Sequence, residues 1–319
     1  MRRWRWPLWL ALVALLQFAG CAVQTAALQA ERPADLPPRA ELAATPFFPQ
    51  TAYHCGPAAL ATALGAAGFS ASPERLGERV FLPARAGTLQ TEMLAGARRE
   101  GAVATRLAPS LEGLLREVAA GHPVVVLQNL GLAIAPLWHY AVVIGYDLDA
   151  SELLLRSGTT RREAMALRTF EHTWKRSGHW AFVALPPGNW PVTAQREAAI
   201  EASVGFERTA APAVAARVYR SALARWPGDL SLTMGLGNTL HAMGDKTEAA
   251  RVFQSAAERH GSEPAWINLA STLLDLGDAK GALAAAQRAQ AVGDAAWRVQ
   301  VEAMVSEAER AVQGVPRSP

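Results

Sequence analysis

Gly244-Asp245 returns thirty-three residues later as Gly277-Asp278, and the residues around it return with it. Ala249, Phe253 and Ala256 become Ala282, Ala286 and Ala289, while Leu236 and Leu240 become Leu269 and Leu273. Ala215, Tyr219, Ala222 and Pro227 make an earlier copy of the second half of the unit. A repeat of this kind buries its apolar face only against its neighbours. Residues 196–313 read as a helical, repetitive array.

The period and the small-residue positions resemble tetratricopeptide repeats, whose units run about 34 residues. That resemblance implies stacked helix pairs, with Asp294 to Gln313 as a solvating cap helix, and a protein partner in the groove of the array. By repeat position Asn238, His241, Ser271 and Asp275 face the groove, and each of them reads equally well as solvated surface.

The first half has a different grammar. Helical patterns come first, at Ala58 to Ala67, Glu74 to Val80, Thr88 to Glu100 and Leu111 to Ala120, with Ser110 placed as an N-cap. Strand patterns follow at Pro123 to Leu127, His139 to Tyr146, Glu152 to Arg156 and Trp180 to Leu185, and Asp147 to Ser151 forms a turn. Helices followed by an antiparallel sheet predict an α+β domain over 46–187. With 319 residues, 50% of them hydrophobic, the chain is long enough for this domain and the all-α repeat domain behind it.

The N-terminus reads as an export signal. Arg2, Arg3 and Arg5 precede the apolar run Leu8 to Leu16, which is short for a membrane span of about 20 residues but fits a secretory signal. Phe18-Ala19-Gly20-Cys21 resembles a bacterial lipoprotein box. The resemblance implies a signal over 1–20, lipid on Cys21 and a membrane partner through that lipid. It also implies a place in the cell envelope on the periplasmic side. Ala22, rather than an acid, after Cys21 points to the outer membrane. Residues 21–45, rich in Ala, Pro, Arg and Glu, are expected to be a tether. The three arginines account for the whole formal charge of +3. The remainder is neutral, and no nucleic-acid partner is expected. Without CxxC, HExxH or a Cys/His cluster, neither a metal nor a cofactor is expected.

The chain has two cysteines. With Cys21 acylated, Cys55 has no partner for a disulfide, which argues that it is kept for reactivity. It sits in Gln50-Thr51-Ala52-Tyr53-His54-Cys55-Gly56-Pro57-Ala58-Ala59, an extended loop entering a small-residue helix. The dipole at a helix N-terminus favours thiolate, and Gly56 is expected to leave room for substrate. A buried structural cysteine fits the same residues. A cysteine nucleophile needs a base. His54 adjoins it and points elsewhere; His241 and His260 lie in the repeats; His122 and His172 sit at a strand start and in a short helix. His139 and His179 both open strands of similar pattern and remain tied.

Gln50, Cys55-Gly56-Pro57-Ala58-Ala59 and His139-Tyr140-Ala141-Val142-Val143 with Gly145-Tyr146-Asp147 resemble the bacteriocin-processing, double-glycine leader peptidases, which are papain-like. The resemblance spans about 47–185. It implies a papain-like fold and hydrolysis of a peptide through a Cys55 thioester, with His139 as base and Gln50 as oxyanion donor. The family's Asp-Pro is replaced by Arg156-Ser157-Gly158-Thr159. Asp147 stands eight residues along the strand from His139, about 26 Å at about 3.3 Å per residue. Hairpin register instead brings Ser157 or Thr159 beside the imidazole, and a hydroxyl there can fix the tautomer. Two other readings share these residues: an inactive peptide-binding scaffold, and an acyltransferase or cell-wall amidase.

Overall fold

The computed structural model describes residues 22–50 and 54–314. They pack as two units, one of residues up to Pro186 with Pro191–Ala198, the other of Pro187–Trp190 with the chain from Ala199 onward.

In the first unit the elements are α1 (Val23–Ala30), β1 (Arg39–Glu41), α2 (Cys55–Ala66), α3 (Pro73–Val80), α4 (Gln90–Arg99), β2 (Val103–Arg106), α5 (Leu111–Ala119), β3 (Val124–Asn129), β4 (Trp138–Asp147), β5 (Glu152–Ser157), β6 (Thr160–Ala166), α6 (Leu167–Lys175) and β7 (Ala181–Leu185). The strands form one antiparallel sheet in the order β2-β7-β3-β4-β5-β6, with β1 beside the last residues of β4, beyond the start of β3. Val124, Val125 and Val126 are all buried, because helices cover both faces. Leu60, Leu76 and Met93 of α2, α3 and α4 pack on Val125, Val142 and Phe182. Leu115 of α5 and Phe170 and Trp174 of α6 pack on Val126, Val143 and Val183 on the other face. Register shifts between Val143 and Gly145. Such a bulge re-aims side chains, and Tyr146 lands in the same apolar cluster as Val143.

Residues 22–41, expected within a tether, belong to the domain instead. Leu28 and Leu36 are buried in the second cluster, and Arg39–Glu41 pairs with Gly145–Asp147. Glu171, itself buried, accepts Gln24 N at 3.0 Å, Thr25 N at 2.7 Å and Thr25 Oγ1 at 2.6 Å. A carboxylate on the exposed N–H groups of a helix start is favourable for both partners. Composition alone did not reveal this, because the clamp is 146 residues away.

The second unit is helical: α7 (Arg196–Glu207), α8 (Pro212–Arg225), α9 (Leu230–Ala242), α10 (Lys246–His260), α11 (Glu263–Asp275), α12 (Ala279–Val292) and α13 (Arg298–Val312). The repeated Gly-Asp has a local cause. Gly244 and Gly277 take φ of 83° and 82°, the left-handed conformation that ends a helix. The following aspartate caps the next one: Asp245 Oδ1 accepts Glu248 N at 3.3 Å, and Asp278 Oδ1 accepts Gly281 N at 2.9 Å. Leu236, Leu240, Phe253, Leu269 and Ala286 meet in one buried cluster.

Candidate active site

Cys55 is the first residue of α2, and residues 56–64 of that helix are all buried. A helix apolar all round belongs in an interior, and here it lies across the sheet with its N-terminus at the end where β4 begins. Gly56 does not open space for a substrate, as the sequence had suggested. A Cβ there would come within 2.6 Å of Thr88 Oγ1. The glycine lets the loop before α4 press onto the helix start.

β4 and β5 pair as far as Val142 and Arg156, after which Ser157 pairs with Thr160 of β6. The parting of the strands leaves the backbone of Tyr140 to other partners. Its carbonyl accepts Gln50 Nε2 at 3.4 Å, and its N–H is directed at the Cys55 sulfur. Gln50 is fixed by its own N–H, which donates to Gly158 O at 3.0 Å. Gln50, Cys55, His139 and Tyr140 thus line one cleft of about 980 Å³, together with the exposed Leu89 and Trp138. That size suits a peptide or small-molecule site.

His139 and Ser157 meet within this arrangement: Nε2 and Oγ are 3.0 Å apart. Thr159, the alternative, is exposed in the turn between β5 and β6. With Nε2 engaged, Nδ1 is the ring nitrogen that remains for a thiol. A base at Nδ1 requires that Nε2–H donate to Ser157. His179, the other strand-opening histidine, is not among the residues lining this cleft. It takes φ of 57° in the turn after α6 and sets its ring edge-on to Trp174, 4.8 Å between centroids. Asp147 is spent in the β4–β5 turn, where Oδ1 accepts Asp149 N at 2.9 Å and Ala150 N at 3.0 Å. His54 stacks on Phe81, and His122 bonds Glu117 at 2.8 Å. Cys21 lies outside the described residues.

Burial pushes the Cys55 thiol above its ordinary range, against the backbone N–H groups of Tyr140, Gly56 and Cys55, which favour thiolate. The helix-end effect expected from sequence is present and is outweighed by desolvation. Burial also lowers the His139 imidazole, against the Glu163 charge, which raises it. Both shifts favour a neutral thiol and a neutral imidazole, the pair in which histidine acts as a general base. Sequence reasoning missed the wall of the cleft made by Arg85 to Gln90 and the Tyr140 backbone. The first carries no chemical signature, and the second is a main-chain group whose role depends on where two strands part.

Residues 42–182 match the Peptidase_C39 like family. This C39-like domain is followed by Tetratricopeptide repeat matches over 210–264 and 242–298. Among solved structures, a C39-like peptidase from Bacillus anthracis is 19% identical, covering 46% of this chain and 97% of its own at a TM-score of 0.39. The Yersinia enterocolitica type III secretion chaperone SycD, in complex with a peptide of the translocator YopD, is 18% identical, covering 35% and 91% at 0.33. The Sgt2 TPR domain from Aspergillus fumigatus is 19% identical, covering 39% and 86% at 0.33. No curated protein matches the chain.

Proposed function

We propose that the C39-like domain is a cysteine peptidase. His139 Nδ1 takes the thiol proton as the Cys55 sulfur bonds to a peptide carbonyl carbon. The oxyanion that forms is held by the Cys55 N–H and the Gln50 amide. Collapse breaks the C–N bond, the amine leaves with the proton from His139, and water then hydrolyses the thioester. Ser157 positions the imidazole. The observation that carries this reading is the shared cleft of Cys55, Gln50 and His139, with Nε2 of His139 already engaged by Ser157 at 3.0 Å. The chain is exported and held by lipid on Cys21 at the periplasmic side of the envelope, most simply the outer membrane, and the repeats dock a protein substrate or partner.

The test is turnover of a peptide library and of peptidoglycan fragments by the purified chain, read by mass spectrometry. Cleaved peptides that vanish with Cys55→Ala and with His139→Ala support the peptidase. Cleavage of the cell-wall fragments alone would move the activity to an amidase. A second reading, an inactive peptide-binding scaffold, is favoured by the hydroxyl of Ser157 where the resembled family has a carboxylate. Under that reading the native chain binds peptides, turns none over, and binds them equally well as Cys55→Ala.

A further inference from the structure

From the end of β3 into the first residue of β4 the chain runs Leu130-Gly131-Leu132-Ala133-Ile134-Ala135-Pro136-Leu137-Trp138, nine residues without a charged, hydroxyl or amide side chain. All five of its large apolar residues, Leu130, Leu132, Ile134, Leu137 and Trp138, are exposed, with Ile134 at 92% and Leu132 at 63%. An apolar tip of this kind marks an interaction surface. Leu137 and Trp138 line the cleft, whereas Leu132 and Ile134 do not and project past it. A peptide in the cleft therefore leaves the tip uncovered.

The hairpin is braced. Leu130 N donates to Leu137 O at 2.9 Å, and Leu132 and Ala135 bond each other at 3.2 and 3.1 Å. Asn129 Oδ1 accepts Gly131 N at 3.0 Å and Leu137 N at 2.9 Å. The N–H groups of Leu130, Gly131, Leu132, Ala135 and Leu137 are thus satisfied within the loop, which lowers the cost of entering a lipid headgroup layer. Cations stand at its base. Arg176 donates to the carbonyls of Asn129 and Gly131, and Arg85 lines the same cleft; the lining holds these two arginines and no acid. An aliphatic tip, a tryptophan at the stem and an arginine collar match the gradient from acyl chain to anionic headgroup.

The start of the described chain lies on the same flank. Gln24 Oε1 accepts Leu111 N at 2.6 Å, and Gln24 Nε2 donates to Pro109 O at 3.2 Å, at the N-terminus of α5. α5 ends where β3 begins, and β3 leads up to the hairpin, so the start of α5 is at the hairpin end of the sheet. Likewise Glu171, which holds α1, and Arg176, which holds the hairpin, lie five residues apart, about 7.5 Å along the α6 axis. Ala22, the first described residue, thus lies toward the hairpin end of the sheet.

We propose that the Leu130–Trp138 hairpin seats in the headgroup layer of an anionic membrane, turning the mouth of the cleft toward the lipid surface. The experiment uses the full chain carrying Cys21→Ser and Cys55→Ser, with an environment-sensitive dye on Ile134→Cys or, as a solvent control, on Glu78→Cys. Vesicles are phosphatidylcholine with or without phosphatidylglycerol, brominated in the acyl chains. The N-terminal segment can hold the chain on any vesicle, so the readout is the local depth of the dye. On vesicles with phosphatidylglycerol the position-134 dye is expected to shift blue and be quenched about two-fold more than the control, as suits insertion to the headgroup boundary. Leu132→Asp, at an exposed site that leaves folding intact, should abolish the quenching, and Arg85→Glu should remove the preference for phosphatidylglycerol. No quenching at position 134 in a chain that floats with the vesicles overturns the proposal, as does failure to float at all. A blue shift that grows with protein concentration without vesicles assigns the tip to a second copy. Shielding by added peptide alone assigns it to the substrate; either result also overturns it.

Discussion

The Cys55 sulfur lies at a helix start, yet burial sets its protonation, above the ordinary 9.0. Alkylation by iodoacetamide should therefore be slower at pH 7 than for a free thiol and should still be rising above pH 9, measured as the rate of mass increase against pH. A thiolate plateau below pH 8 would contradict the burial argument. His139 is shifted the other way, below 6.5. The acid limb of kcat/KM, which reports the free enzyme's base, should accordingly fall below that value. Ser157→Asp adds a negative charge at the position whose Oγ now lies 3.0 Å from Nε2 and stabilises imidazolium, so the acid limb should move up in pH. Ser157→Ala removes the positioning contact, with an expected loss of about 10- to 100-fold in kcat and little change in KM. An unchanged pH profile in Ser157→Asp would mean that Ser157 does not govern the ring.

Among the elements, two buried carboxylates fasten segments that propensity does not hold. Glu117 of α5, with its side chain fully buried, accepts Val192 N at 3.2 Å, Thr193 N at 2.6 Å and Thr193 Oγ1 at 2.5 Å, besides His122 at 2.8 Å. Burial raises its pKa, and the hydrogen bonds from His122 and Thr193 more than offset this, leaving it below 4.5. A carboxylate with a depressed folded pKa adds stability above its unfolded value and loses it as pH falls through the folded one. Glu117→Ala strands these donors and should cost about 2–4 kcal/mol in urea unfolding at pH 7. The difference between Glu117→Ala and the native chain should shrink as pH drops below 4.5. Equal stability of the two at neutral pH would remove the latch. Glu171 does the same for α1, which is why an Ala- and Pro-rich stretch with the composition of a linker is part of the domain.

Across the whole molecule, the repeats and the C39-like domain present separate chemistry. In the repeats His241 Nε2 bonds Asp275 Oδ2 at 2.8 Å, and Asn268 Nδ2 donates to Asn238 Oδ1 at 3.0 Å, each joining α9 to α11. Three of the expected groove residues thus bridge neighbouring helices. Replacing Asn238 and His241 by alanine should leave turnover of short peptides unchanged while weakening capture of a protein partner. This is read by comparing peptide hydrolysis with pull-down from an envelope extract before and after the substitutions. Loss of short-peptide turnover would show that the repeats serve the cleft rather than docking.

The helix pairs of the repeat array, the strands flanking the Asp147–Ser151 turn, and Gln50, Cys55 and His139 as residues of interest were legible in the chain. Each is written in local terms: an αL glycine followed by a capping aspartate, a change of apolar period, a thiol at a helix start. Hairpin counting even narrowed the imidazole's neighbour to Ser157 or Thr159. The choice between them needed the bulge in β4 and the point where β5 turns toward β6, which depend on packing on both faces of the sheet. The same holds for the placing of His139, and not His179, in the cleft with Cys55, the docking of residues 22–41, Thr88 against Gly56 and the protonation of Cys55. Chain pattern specifies which residues can do chemistry and which segments can be regular. Desolvation and contacts between residues distant in sequence arise only when the layers close, and those decided which groups meet and in what charge state.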